Sequence, residues 1–165
     1  MKTLFRIVSA IILAQIAFFG VSAATQIVYQ SLDQLGAHAS AVVVGKVAAV
    51  RSYWNQDHTK IFTETTVTVD ESFKGQPGAS VRVVQLGGTV DNVQVTAHGA
   101  LQWKPEEEIV LFLEPAADGA FQVSGFSQGK FQVERDPRTG AAYVKRPALA
   151  GAEFVGTPDD KAAVE

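Results

Sequence analysis

Three kinds of pattern in this sequence have residue types and spacing that chemistry could use. Gly125-Phe126-Ser127-Gln128-Gly129 has the G-x-S-x-G form of a nucleophile elbow. That elbow works because a strand-to-helix turn lifts the serine above a parallel sheet, near a histidine and an acid. Here the flanks, Phe121–Phe126 and Lys130–Glu134, both read as strands and no helix follows. With 14 glycines in the chain a coincidental match is expected, and no catalytic residue is assigned. The histidines His38, His58 and His98 stand far apart, without H-x-H or H-x-x-x-H spacing. Catalytic zinc needs three protein ligands converging in space, so no metal site is assigned, although spacing leaves open a meeting of His58, His98 and a carboxylate. The third pattern is aromatic. Trp54 and Trp103 each stand where a strand meets a polar loop, beside Asn55-Gln56-Asp57-His58 and Lys104-Pro105 respectively. Indoles at loop mouths stack on sugars or anchor protein partners, bringing much contact area at little entropic cost. They can equally plug the end of a barrel. The candidate binding residues are therefore Trp54, Asn55, Asp57, His58 and Trp103.

Two further clusters read as structural. Glu106-Glu107-Glu108 precedes an apolar strand, the position of a solvated gatekeeper against aggregation; it lacks the ligand spacing of a calcium loop. Gly87-Gly88-Thr89 resembles a phosphate cradle, but such loops depend on a following helix N-terminus, and Val90–Ala97 reads as strand. A tight turn is the expected role.

The elements that must position these residues are almost all strands. Ser31-Leu32-Asp33-Gln34 has the Ser-x-x-Gln form of a capping box, which predicts a two-turn helix over 32–39. The period then switches to two. Ala41–Val44 is a β-branched run of the kind covered on both faces, and Gly45 marks a bulge or bend within it. Ile61, Thr63, Thr65, Val67 and Val69 alternate with polar residues, the mark of a half-buried strand. Further strand patterns cover Val81–Leu86, Val93–Ala97, Ile109–Leu113, Phe121–Val123, Phe131–Val133 and Tyr143–Val144. Asp136-Pro137-Arg138-Thr139-Gly140 suits a type I turn closed by a glycine bulge. About eight short strands and one N-terminal helix predict an all-β fold, a small closed or partly open barrel of the oligonucleotide/oligosaccharide-binding (OB-like) type.

Composition sets the compartment. Lys2 and Arg6, the apolar run Ile7–Val21 and the small residues Ser22-Ala23-Ala24 have the layout of a cleavable secretory signal. The apolar run is short for a membrane span of roughly 20 residues. The expected organisation is a signal peptide over 1–24, a barrel domain over 25–147 and a flexible tail over 148–165, located in the periplasm or outside the cell. The chain has 17 acidic and 14 basic residues, and the leader would remove two of the basic ones. Without a Lys/Arg cluster, that mild acidity excludes nucleic acid and anionic membrane surfaces as expected partners. The chain has no cysteine, so thiol catalysis, disulfides and zinc–thiolate sites are impossible and stability must come from burial and backbone pairing.

The ordered set Val42-Val43-Val44-Gly45-Lys46-Val47, Lys74-Gly75, Gln85-Leu86-Gly87-Gly88, Glu107–Leu113 and Gln128-Gly129-Lys130-Phe131 resembles a family of small exported bacterial proteins often found beside matrixin-like metalloprotease genes. The layout is also similar to the netrin and metalloprotease-inhibitor barrels, although those inhibitors use an N-terminal cysteine that is lacking here. The resemblance implies no catalytic residues and makes a neighbouring protease the first candidate partner. The sequence thus points to an exported, non-enzymatic, protein-binding module without a cofactor or, once cleaved, a membrane segment. A glycan-binding barrel is the alternative, and a hydrolase or metal-dependent enzyme the third reading.

Overall fold

The computed structural model describes residues 25–147 and 152–155. The expected leader and most of the expected tail lie outside them. Strand β1 (Thr25–Val28) leads into helix α1 (Leu32–His38). Both arms of the capping box form: Ser31 Oγ accepts from the Gln34 amide at 3.2 Å, and Gln34 Oε1 accepts from the Ser31 amide at 2.9 Å. The long strands β2 (Ala41–Trp54) and β3 (Ile61–Lys74) form an antiparallel hairpin. The register shifts at Gly45, where an added Cβ would collide with the Thr68 carbonyl oxygen. Only glycine allows the two backbones to approach so closely there.

The remaining elements are β4 (Ser80–Leu86), β5 (Gly88–Val90), β6 (Val93–Val95), β7 (Glu108–Pro115), a 3-10 turn (Ala117–Gly119), β8 (Phe121–Val123), β9 (Lys130–Arg135), β10 (Ala142–Lys145) and β11 (Ala152–Val155). The protein is mostly β, built on a mixed seven-stranded sheet in the order β10-β9-β7-β2-β3-β4-β8. The short strand β8 also pairs antiparallel with β7, at Leu113↔Val123, Glu114↔Gln122 and Pro115↔Phe121. It meets β4 in parallel at one position, Val83↔Phe121. Two two-stranded ribbons lie outside the sheet. The expected strand around Val93 pairs only with β5. Within the expected tail, β11 pairs in parallel with β1, so that stretch is a bonded strand.

The core follows the period-two pattern. Val43, Val47, Val67, Val81, Val83, Ile109, Leu111 and Leu113 form one buried cluster, with Trp103 and Phe121 packed against it. Full burial of such aliphatic side chains is worth about 1.5–3 kcal/mol each. The predicted turn at Asp136 forms as well: Gly140 has φ +73° and donates to the Asp136 carbonyl at 2.8 Å. The Asp136 carboxylate accepts from the Arg138 and Thr139 amides, which holds its pKa below the usual 3.8.

Thr65 departs from this economy. It is fully buried on the core face of β3, and its hydroxyl finds no hydrogen-bond partner. A buried hydroxyl without a partner costs about 1–3 kcal/mol. Thr65→Val keeps the shape and removes the penalty, so the denaturant midpoint should rise by the equivalent of about 1 kcal/mol.

Candidate functional site

The aromatic candidates divide on folding. Trp54 ends β2 opposite Ile61, and its indole stacks on His58 with centroids 6.0 Å apart. Asn55 does not reach outward; it organises the hairpin loop. Its Oδ1 accepts from the Thr59 and Lys60 amides at 2.8 Å each, and its Nδ2 donates to Thr59 Oγ1 at 3.0 Å. Asp57 is exposed, and His58 adopts φ +53°. His58 and Trp54 thus share the loop, with Asn55 as its internal brace.

Trp103 has a different setting, centred on a group whose environment its position in the sequence did not reveal. Lys130 opens β9 and is wholly buried, the largest such side chain among the described residues. Its ammonium donates to Glu107 Oε2 and to the Gln102 carbonyl, both at 2.7 Å, and lies 4.6 Å from the Trp103 ring centroid. Two hydrogen bonds and a π face thus engage the three N–H donors of an ammonium. Glu107 also accepts from Gln132 Nε2, and the Trp103 N–H donates to Gln85 Oε1 at 3.2 Å. Trp103 is therefore fastened at both its ring and its nitrogen, as a plug over the core. The expectation that Glu106–Glu108 is a solvated charge block holds for Glu106 only. Glu107 pairs inward with Lys130, and Glu108 bonds Arg135 at 3.0 Å. Nothing in a local charge run reveals a cation 23 residues away.

The G-x-S-x-G segment is a tight turn between β8 and β9. Ser127 is buried, and its Oγ donates to the Gly99 carbonyl at 2.5 Å. Gln128, also buried, ties the turn to the N-terminal segment: Nε2 donates to the Val28 carbonyl, and Oε1 accepts from the Gln30 amide. Just before these anchors, Gly125 and Phe126 both take positive φ, +63° and +69°. The Ser127 amide donates back to the Gly125 carbonyl at 2.9 Å, a γ-turn with Phe126 at its centre. The left-handed region is strained for a bulky side chain, by roughly 1–3 kcal/mol. Yet Phe126 is 56% exposed, so it gains little burial in return.

Phe126 stands at the rim of a cavity of about 770 Å³, within the size range of ligand sites, roughly 300–1,000 Å³. One wall is β4, from Arg82 to Leu86; the other is Ala116, Ala117, Asp118 and Ala120 with Gln122 and Val123. Tyr53 and Phe62, stacked at 6.2 Å, extend it, and Ala97 and Ala100 also line it. Phe126 and Glu114 also border a second cleft, with Val28, Gln30 and His38. Of the residues expected to bind, Asn55 alone lines the larger cavity. Among the described residues no three His, Cys, Asp or Glu side chains are grouped as a metal would require. No helix of the described residues is long and apolar enough to cross a membrane. Compared with known proteins, the chain matches no family model, no curated protein and no solved structure.

Two measurements test the Lys130 cluster. Trp103→Ala should lower stability by about 3 kcal/mol, as core aromatic truncations do. Lys130→Met leaves Glu107 without its cation and should cost a similar amount, about 3 kcal/mol. Burial holds the Lys130 ammonium below its usual 10.5, against the opposing pull of Glu107. Between the lowered folded value and 10.5 the unfolded chain binds more protons, so this group's contribution to stability rises with pH across that window. The stability of the wild type relative to Lys130→Met should therefore increase as pH is raised towards 10.5. The raised pKa of Tyr143, hydrogen-bonded to Glu134, acts with the opposite sign but is common to both proteins and cancels. A flat difference would contradict the burial argument.

Proposed function

We propose that this protein is an exported, non-enzymatic binding module that engages a protein partner through the cavity between β4 and β8. The observation that carries the reading is Phe126, an apolar ring held exposed in a backbone conformation that disfavours it. Strain of that kind persists where surrounding structure over-determines it, and it clusters at ligand clamps. Here Ser124, whose amide donates to the Phe112 carbonyl, anchors the turn before Phe126, and Ser127 and Gln128 anchor it after. Binding energy at protein interfaces concentrates in a few such aromatic anchors.

The architecture we infer is a small closed barrel of OB-like connectivity. Its support is the succession of pairings β7–β2–β3–β4–β8, with β8 returning to β7 and meeting β4 in parallel. In this reading the leader 1–24 directs export and is removed, and the module works in the periplasm or outside the cell. A secreted protease remains the first candidate partner, on the strength of the resemblance. The glycan reading loses support because the proposed platforms are occupied. His58 covers one face of Trp54, and Lys130 lies over Trp103. The serine-hydrolase reading loses support because Ser127 Oγ is engaged by the Gly99 carbonyl.

Phe126→Gly separates function from folding. Glycine accepts the left-handed turn, so the denaturant midpoint should stay level or rise. Capture of the partner from the native secretome should fall by at least about 2 kcal/mol, the usual hot-spot threshold. Unchanged capture by a folded Phe126→Gly protein would overturn the proposal.

A further inference from the structure

The wall formed by β4 has an unfinished edge. On one side β4 pairs with β3 along its length, from Thr68↔Ser80 to Phe62↔Leu86. On the other side its strand pairing among the described residues is one bridge, Val83↔Phe121. Main-chain groups alternate sides along an antiparallel strand. The Gly87 amide donates to the Ile61 carbonyl of β3, and the Ala79 carbonyl accepts from the Val69 amide. Odd-numbered residues of β4 therefore face β3, and Arg82, Val84 and Leu86 face the other way. Beyond the bridge, β8 turns to follow β7, which leaves the outward groups of Leu86 without a strand. Leu86 itself is 44% exposed.

The cavity lies along this edge, lined by Val83, Val84, Gln85 and Leu86. An unpaired edge is a template for one more strand. A chain that adds there gains main-chain hydrogen bonds for affinity and places alternate side chains in pockets for specificity. Phe62 and Phe126 supply apolar surface for those side chains. The charges set the ligand's sign. Glu114 and Asp118 line the cavity without an ion pair among the described residues; Glu114 accepts only neutral donors, Ser124 Oγ at 2.6 Å and Gln122 Nε2 at 3.5 Å, so its charge is uncompensated. Arg82 is already committed to Glu64 at 3.1 Å and to the Asp118 carbonyl at 2.6 Å.

We propose that the β4 edge between Val83 and Leu86 binds an extended, apolar peptide segment carrying a basic side chain, which adds as a strand beside β4 and sets its cation towards Glu114 and Asp118. This rests on the reading of the β4–β8 cavity as the working surface and names what enters it. A protein partner would present such a segment as a loop or a terminus.

The test uses a blocked hexapeptide of alternating valine and threonine with one central lysine, its affinity for the mature protein measured by fluorescence anisotropy. N-methylation of alternate peptide amides, which removes the donors a strand needs, should weaken binding by at least about tenfold. Exchange of the lysine for glutamate should weaken it by about tenfold or more, less so at high salt. Leu86→Pro removes an amide that faces away from β3. It should keep a near-native denaturant midpoint and lose peptide affinity, and if it unfolds, an amide chemical-shift change at Leu86 on titration of the unaltered protein serves instead. Equal affinity for the N-methylated peptide would overturn strand addition. So would saturable binding of a chito-oligosaccharide in place of the peptide, or concentration-dependent pairing of two copies at this edge. If Phe126→Gly loses its secretome partner while no peptide binds, this inference fails and the binding-module reading stands. If Phe126→Gly changes neither, both fail.

Discussion

An ammonium with no access to water organises one flank of this protein. Lys130 sits at the start of β9 with its charge among Glu107, Gln102 and the face of Trp103. A buried charge is tolerable only when paired and hydrogen-bonded throughout, and each of these groups comes from the segment between β6 and β7. That segment has little regular structure of its own. Lys130 therefore fixes its path: Leu101 enters the core, Trp103 caps it, and Glu107 and Glu106 bond the backbone of Val47 in β2. Well-packed apolar residues could supply equal stability. What the ion pair fixes is the position of Gln102, Trp103 and Glu107 against the start of β9.

The turn at Gly125–Gly129 depends on the same flank. Ser127 holds the Gly99 carbonyl just ahead of Leu101, and Lys130 follows the turn directly. On the opposite side Gln128 gathers β1 and the approach to α1. With Ser124 bonded to the Phe112 carbonyl on one side and Ser127 and Gln128 anchored on the other, Phe126 between them carries the strain. The division of labour is physical. Buried polar groups set the backbone, and the exposed ring is what a partner can reach.

The strand edge at Leu86 has a related origin. β8 is three residues long and shared between β7 and β4, too short to cover both. Its loyalty to β7 opens the wall of β4 and leaves the cavity between them. Thr65, buried without a partner nearby in the same sheet, shows that the core is not fully satisfied either.

Much of this was legible in the residues alone. The capping box at Ser31 and Gln34 located the helix, the alternation from Ile61 to Val69 set the buried face of β3, and Gly45 marked the bend. These are local patterns, set by sterics and the two-residue period of a strand. The absence of cysteine ruled out thiol chemistry before any fold was known. The partnerships were not legible. Lys130 looked like a polar residue at a strand start, Glu107 like one of three solvated acids, and Trp103 like a loop-mouth ring, because each owes its role to a neighbour distant in sequence. The strand flanks of Gly125–Gly129 already spoke against a nucleophile elbow, but only the course of the Gly99 loop and the backbone angles of the turn show what Ser127 and Phe126 do there. Local spacing determined which segments are strands and which way they face. Only the tertiary structure decided which strand lies beside which, where β4 is left bare, and which charges are buried, because those depend on contacts between residues that sequence distance does not order.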